Sequence, residues 1–357
     1  MIGPVSAFEV QVAHSVDEVG QEVWDRLSAG RPFTSYRWYR FGEAVLDDGR
    51  PLYIVLWQRG APVARATFWL DMQEALPIAS GLVRRPVETA LRRWPLMVCR
   101  APLPVAVSGL TLPEPPLRDA ALAALVAAAQ EQAGRHRVSF IAFDHLEREA
   151  TGWPGWPASF AQAAFSEPRT RLNLRWPDLE SYLHDLSKGA RKDYRRHRNR
   201  ARDLGIVVTP HAAVNTPLDQ AMRLIGKVGA RHGDRPEAWT VRMLERATMV
   251  EATWLTADIG GDLVGCGLLL GDSGAQFLAL LGLDDGVDYV YFQLLYRAIQ
   301  SAIEQGARLL LGGREAYAVK QRLGFTLMDS EYVLFTSRLP LFQCISHWLG
   351  ARVGEAA

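Results

Sequence analysis

Residues 253–272, TWLTADIGGDLVGCGLLLGD, place two apolar, β-rich runs on either side of Gly260-Gly261, the pattern of a tight hairpin. Residues 51–70, PLYIVLWQRGAPVARATFWL, do the same around Arg59-Gly60-Ala61-Pro62. Gly60-Ala61-Pro62-Val63-Ala64-Arg65-Ala66 lines up with Gly261-Asp262-Leu263-Val264-Gly265-Cys266-Gly267: a turn, then Val, then alternating small residues. The match is short, but its surroundings repeat as well. The first hairpin is followed by a strand region, PLMVCRAPLPVAVSGLTL, an alanine-rich helix, LRDAALAALVAAAQEQAG, and a strand, VSFIAFDHL. After the second come AQFLALLGL, the apolar helix VYFQLLYRAIQSAIEQGA and the strand RLLLGG. Such an order, recurring roughly 200 residues on, points to two copies of one unit. Hairpins followed by helices also occur in unrelated folds.

Length agrees with duplication, since 357 residues exceed one ordinary core and suit two domains of roughly 150 to 180 residues. The segment ATGWPGWPASFAQAAFSEPRT is rich in Pro, Gly and Trp without clean periodicity and marks the junction. The expected organisation is an N-terminal unit over 1–168, a C-terminal unit over 169–338 and a tail over 339–357. Helices interleaved with strands, but preceded by hairpins, argue for an α/β fold of mixed, mostly antiparallel twisted sheets flanked by helices. No Gly-rich fingerprint opens a helix after the first strand, which argues against a fully parallel doubly wound sheet. In SVDEVGQEVWDRLSAG, Ser15 and Glu18 have capping-box spacing ahead of helical periodicity.

The hydrophobic fraction is 48%, enough for two interiors, and 40 basic against 39 acidic residues leave a net charge of +1. Overall charge therefore drives no association, and an electrostatic partner has to be met by a local patch. The three cysteines, Cys99, Cys266 and Cys344, are widely spaced and without CxxC, so neither a disulfide scaffold nor a cysteine zinc site is supported. The histidines lack HExxH or paired metal spacing, and no metal is expected. No apolar run reaches the ~20 residues that span a bilayer, and the N-terminus lacks a secretory pattern, which predicts a cytoplasmic protein.

One local patch stands out. SKGARKDYRRHRNRARDLG, from Ser187 to Gly205, holds eight Lys or Arg against two Asp. On a helix over 187–204, Ala190, Tyr194, His197, Ala201 and Leu204 form a narrow seam that can rest on the protein, His197 serving as packing. The rest of the surface is then cationic: Lys188, Arg191, Lys192, Arg195, Arg196, Arg198, Arg200 and Arg202. Like charges three and four apart repel by a few tenths of a kcal/mol per pair, a penalty that a polyanion would remove. An RNA backbone, a coenzyme pyrophosphate or anionic lipid head groups would all serve, and so would acids elsewhere in the fold.

A second candidate is RLLLGGREAYAVKQRLGF, residues 308–325. A buried strand ends at Gly312-Gly313, where the backbone can turn sharply or approach a ligand. A short helix then presents Tyr317, Lys320 and Arg322 before Gly324 ends it. Tyr317 and Lys320 are three apart and can both look into the cleft beyond the strand's carboxyl end; Lys320 also fits an ordinary surface lysine.

A basic S-K-G-A-R-K-D-Y-R-R helix, a hairpin, a long helix, a strand and a terminal Y-x-x-K-x-R-L-G-F together resemble the tandem GNAT-fold transferases related to the FemABX peptidyltransferases. The resemblance covers most of the chain and is strongest from Leu172 to Phe335. SVDEVGQEVWDRLSAGRPFTSYRWYRFGEAV is similar to the usual opening of such proteins. The resemblance implies acyl transfer to an amine with Lys320 and Tyr317 catalytic, Lys320 supporting the reacting carbonyl from the closing K-x-x-(F/L)-G motif. The family often has Phe just before that lysine, where this chain has Val319. Activated esters and thioesters need orientation beside the amine and donors facing the developing oxyanion, and no nucleophilic elbow of the GxSxG kind is present or required.

Coenzyme-A-dependent GNAT enzymes resemble one another in a Q/R-x-x-G-x-G/A loop ahead of the long helix. At that point this chain reads LGLDDGVDYVYFQLLYRAI, with Asp284, Asp285 and Asp288. Those acids disfavour a polyphosphate. With the basic helix, they tilt the reading towards aminoacyl-tRNA as co-substrate, gripped by Lys188, Arg191, Lys192, Arg195, Arg196, Arg198 and Arg202. Acyl-coenzyme A or a carrier-protein thioester is the alternative, and no tightly bound cofactor is expected. The acceptor is a small-molecule amine or a cell-wall precursor, with Asp284, Asp285 and Arg314 as candidate contacts; the two acids also fit as caps of the long helix. In LPLFQCISHWLG, Leu341, Ile345, Trp348 and Leu349 share a helical face that suits a strut packed on the body.

Overall fold

The computed structural model describes residues 8–47, 49–71, 95–164, 168–231, 238–328 and 332–339. The chain separates into one unit of residues 1–43, 47–168 and 329–357 and another of residues 44–46 and 169–328. Its strands are β1 (Glu9–Ala13), β2 (Arg50–Gln58), β3 (Ala61–Asp71), β4 (Leu96–Cys99), β5 (Leu110–Thr111), β6 (Phe140–Leu146), β7 (Ala161–Ala164), β8 (Thr170–Asn173), β9 (Ile206–His211), β10 (Glu251–Ile259), β11 (Asp262–Asp272), β12 (Ala275–Leu283), β13 (Leu309–Gly312), β14 (Thr326–Leu327) and β15 (Tyr332–Ser337).

Among the described residues each unit is built on one mixed sheet. The first runs β1-β2-β3-β4-β6-β15-β7, with β5 added to β3, and the second runs β14-β8-β13-β12-β11-β10-β9. In both, an antiparallel meander leads to one parallel pair, β4 with β6 and β12 with β13, bridged by a helix, Arg118–Arg135 in the first unit and Val290–Glu304 in the second. The α/β sheets flanked by helices expected from the sequence are present.

The hairpins match residue by residue at a constant offset. β2 opposes β3 with a register shift between Leu56 and Trp57, and β10 opposes β11 with a shift between Ala257 and Asp258. Each bulge sits at the same place in its strand, and β2 and β10 share one burial pattern, with Leu52–Leu56 and Thr253–Ala257 buried. Both turns require two residues at positive φ: Arg59 at 52° and Gly60 at 75°, then Gly260 at 59° and Gly261 at 97°. That is the condition of a two-residue turn whose twist fits the flanking strands.

Five buried residues in a row mean both faces of each sheet are covered. In the first unit Leu52, Ile54, Leu56, Ala64, Ala66 and Phe68 pack on Ala121, Leu122, Leu125 and Ala129 of the bridging helix. The opposite face carries Tyr53, Arg65 and Thr67 beneath Trp24 and Tyr39. In the second, Leu255, Ala257 and Leu269 meet Leu294, Leu295 and Ala298 of the long helix. Small residues let the backbones close in: a Cβ on Gly265 would lie 2.4 Å from Val290, and one on Gly282 would lie 2.8 Å from the Ile225 amide nitrogen.

Three expectations change. The strand Tyr332–Ser337, grouped with the second unit on sequence order, inserts between β6 and β7 of the first sheet and is antiparallel to both. A short Val/Leu/Phe run carries no information about which sheet edge it completes. The opening helix is two helices, Val16–Val19 and Gln21–Ser28, parted at Gly20 with φ 88°. Ser15 Oγ accepts from the Asp17 amide at 3.0 Å, and Glu18 reaches back to the His14 amide at 3.2 Å, one residue short of a reciprocal box. Leu204 is 45% exposed rather than part of the basic helix's seam. Cys344, Leu341, Ile345, Trp348 and Leu349 lie outside the described residues.

Candidate active site

β12 and β13 run side by side only from Ala275–Phe277 to Leu309–Leu311. Immediately beyond, Leu268 opposes Leu280 while Leu269 opposes Leu278, so Ala279 is an extra residue on β12. A bulge bends its strand, and the parallel pair parts here. Because the long helix connects these two parallel strands, its first turn and the segment following β13 share their carboxyl end, where α/β crevices open.

The segment after β13 is tightly made. A Cβ on Gly312 would lie 2.5 Å from Thr170 Oγ1, so no larger residue fits without a shift. Glu315 and Ala316 follow with φ of 67° and 48°, two non-glycine residues in the left-handed region. The helix Tyr317–Arg322 then closes with Gly324 at φ 85°, its amide bonding the Gln321 carbonyl at 3.0 Å while Phe325 bonds Lys320 at 3.1 Å. This is the glycine C-cap read from the sequence, in its Schellman form.

Lys320 is 6% exposed. Its ammonium donates to the carbonyls of Gly313 at 2.7 Å and Arg314 at 3.0 Å, tying the turn to the helix and leaving one N–H. Burial pulls the side chain from the ordinary lysine range down to about 8, opposed by the carboxylate of Glu315. It is no ordinary surface lysine. Tyr317 is half-buried on the same helix, and Arg314 has a buried Nε without a partner among the described residues.

The basic helix spans Lys188–Asp203, with the Ser187 hydroxyl accepting from the Ala190 amide at 3.2 Å. Ala190, Tyr194, His197 and Ala201 are buried, as the spacing predicts. Tyr194 meets Tyr296 edge-on at 4.7 Å, and His197 lies 3.9 Å from Phe292 with Nδ1 2.8 Å from the Tyr296 hydroxyl. Burial, with Arg196 beside it, holds His197 below the usual imidazole range, in keeping with a packing role.

The cations divide into two sets. Arg191 donates to the carbonyls of His184 at 2.7 Å and Leu186 at 2.5 Å, so it ties down the preceding helix end. Arg196 pairs with Asp193 at 3.0 Å, and Arg198 lies over the Tyr194 ring at 5.7 Å. Asp193 is shared with Arg322 at 2.8 Å. Lys188, Lys192, Arg195, Arg200 and Arg202 are exposed, with no carboxylate partner among the described residues.

Asp284 and Asp285 are already engaged. Lys227 donates to Asp284 at 3.0 Å and Arg231 Nε to Asp285 at 2.7 Å, both from the helix Leu218–Arg231. Neither caps the long helix, which follows Tyr289 at φ 70° with no side-chain cap. Sequence reading missed Lys227 and Arg231, four apart on an amphipathic helix, and also Glu315, whose carboxylate acts on Lys320. Among the described residues no group of His, Cys, Asp or Glu could hold a metal ion. Cys99 and Cys266 are free and buried; burial raises both thiols, Cys266 to about 12.

No family model and no curated protein matches the sequence. Solved structures do. FemX superposes with a TM-score of 0.64 at 12% identity, covering 94% of this chain and all of its own (100%). A tandem GNAT protein from the clavulanic acid biosynthesis pathway gives 0.54 at 15% identity, covering 93% and 99%. L-PGS from Bacillus licheniformis gives 0.53 at 12%, covering 96% and 99%. This chain has the tandem GNAT fold.

In that tandem GNAT fold the two strand ends are furnished differently. Register places Asp144 and His145 of β6 where the second copy has Gly313 and Arg314, just past β13. Asp144 lies 3.5 Å from His145 and 3.9 Å from Arg100, and both Asp144 and His145 are buried. Among the described residues the first copy has no buried lysine at this place, and β6 is followed instead by a single 3-10 turn, Glu149–Gly152.

Proposed function

We propose that this protein is an amide-forming acyltransferase that passes an aminoacyl group from aminoacyl-tRNA to an amine, on a small metabolite or a cell-wall precursor. The supporting observation is the row of exposed cations on the basic helix, Lys188, Lys192, Arg195, Arg200 and Arg202, that have no carboxylate partner among the described residues. A phosphodiester backbone suits such a row, each contact releasing counterions. Lys320 supports the reacting carbonyl: its ammonium is already oriented by two backbone carbonyls, so little reorganisation is needed as charge develops. Tyr317, half-buried one turn earlier on the same helix, is the second catalytic candidate.

One observation favours a second donor, an acyl-coenzyme A or carrier-protein thioester. The acids ahead of the long helix are neutralised by Lys227 and Arg231, which weakens their repulsion of a pyrophosphate. Incubating the protein with bulk labelled aminoacyl-tRNA or acetyl-coenzyme A, a panel of amines and mass detection of products decides between the donors. Product formation from charged tRNA that is abolished by ribonuclease supports the first reading. Product formed with ribonuclease present, from the thioester alone, overturns it.

A further inference from the structure

Gly312 ends β13 without a positive φ, so glycine is not required there for backbone freedom. It is required for room. A Cβ at this place would lie 2.5 Å from Thr170 Oγ1, 3.4 Å from the Phe325 ring and 3.5 Å from Lys320 Cε. Thr170 opposes Gly312 from β8 and is fully buried, so its hydroxyl fills the space that the absent side chain leaves, a space the Lys320 stem also borders. From there it donates to the Gly313 carbonyl at 3.2 Å, the same oxygen that accepts from Lys320 Nζ at 2.7 Å. A carbonyl oxygen has two lone pairs, and here each has its donor.

The Gly313 peptide needs such a lock. A Cβ on Gly313 would meet nothing within 4 Å, so packing on that side does not hold it. Lysine is among the side chains that lose the most rotamer freedom on being fixed, about 1.5–2 kcal/mol, and its ammonium keeps one direction only while its acceptors keep theirs. We propose that Thr170 is a positioning residue: its hydroxyl locks the Gly313 carbonyl and thereby aims the N–H of Lys320 that neither Gly313 nor Arg314 takes. It touches no substrate. Its effect on turnover rests on the transferase reading above; the lock itself does not.

The chain has four lysines, Lys188, Lys192, Lys227 and Lys320, so in full-length protein isotopically labelled at lysine Cε the Lys320 signal is the one missing from Lys320→Arg. A fixed stem keeps its two Cε protons inequivalent, whereas a freely turning one averages them. Thr170→Val and Thr170→Ala both remove the hydroxyl, one keeping the bulk and the other not, and the inequivalence collapses in both; Thr170→Ser keeps the hydroxyl and the inequivalence. Tyr182→Phe is the control, since it removes the bond from the Tyr182 hydroxyl to the Leu323 carbonyl, 2.8 Å, at the far end of the same helix and leaves Gly313 locked. Its Lys320 signal matches the parent's. A Lys320 signal unmoved in either hydroxyl-less variant, or moved equally by Tyr182→Phe, overturns the lock. With whichever donor proves active, Thr170→Val lowers kcat by about 5- to 50-fold with KM for the amine little changed, and Thr170→Ser restores it. An unchanged kcat in Thr170→Val overturns the use in turnover. If neither charged tRNA nor acetyl-coenzyme A gives product, the transferase reading fails, while the lysine signals still decide the lock.

Discussion

Lys320 and Arg65 are both buried cations without a carboxylate bonded to them, and magnitudes separate their roles. Lys320 is pulled down to about 8, so the folded state releases its proton between about 8 and the ordinary lysine range while the unfolded chain still holds it. Stability therefore rises with pH across that window, because the unfolded state binds more protons there. If the ammonium is the working form, turnover falls over the same window. Opposite slopes for stability and kcat are the expected result, and Lys320→Arg should move the descending kcat limb upward. A stability curve flat from pH 8 to about 10 removes the basis for that prediction.

Arg65 is structural. Its guanidinium donates to the Trp24 carbonyl at 3.3 Å, the Ser28 hydroxyl at 3.1 Å and the Thr34 carbonyl at 2.9 Å, and lies 4.2 Å over the Trp24 ring. Burial lowers it to about 10, a cost of about 3 kcal/mol at neutrality. Charge-assisted bonds of about 1.5–3 kcal/mol each outweigh that cost. Arg65→Met therefore destabilises by about 3 kcal/mol in urea unfolding. The equivalent site in the second copy is Cys266, and nothing in the local alignment distinguishes a buried arginine from an exposed one.

At the scale of elements, the basic helix shows how far sequence reading reaches. Its seam was legible because 3.6-residue periodicity depends on the helix alone. The division of its cations was not, because the partners of Arg191 and Arg322 depend on how other elements dock. The same limit applies to Asp284 and Asp285, whose partners lie on a helix more than fifty residues away in sequence (|i−j| 57 and 54). Substituting Lys192, Arg195, Arg200 and Arg202 by Gln leaves the structural arginines in place. RNA affinity should fall, and the slope of log affinity against log salt should shrink by up to about three units if all four meet phosphates. Helicity should be kept, since like-charge repulsion along the helix is relieved. An unchanged salt slope in filter binding removes the helix from any RNA contact.

The whole molecule is a duplicated sheet with its ends exchanged. The hairpins were legible because turn chemistry and alternation are local; the home of the last strand was not, because strand pairing is decided by whichever edge is open. The first copy receives, between β6 and β7, a strand from beyond the second copy's last element, while the second copy takes β8 as the antiparallel neighbour of β13. Strand-to-strand hydrogen bonds thus make the first sheet depend on residues that follow the second copy in the chain. Ending the chain at Met328 leaves the second copy's strands and Lys320 intact but strips β6 of a ladder running from Leu146 to Phe140. Without β15 the β6 edge is open and Leu334 no longer fills the first core. Hydrogen exchange on the truncated chain should show β6 losing protection by about 10-fold or more while β10–β12 keep theirs, a difference between cooperative units that a general loss of stability would not give. Equal loss in both sheets would mean that the exchange of strands does not confine the last strand's contribution to the first copy.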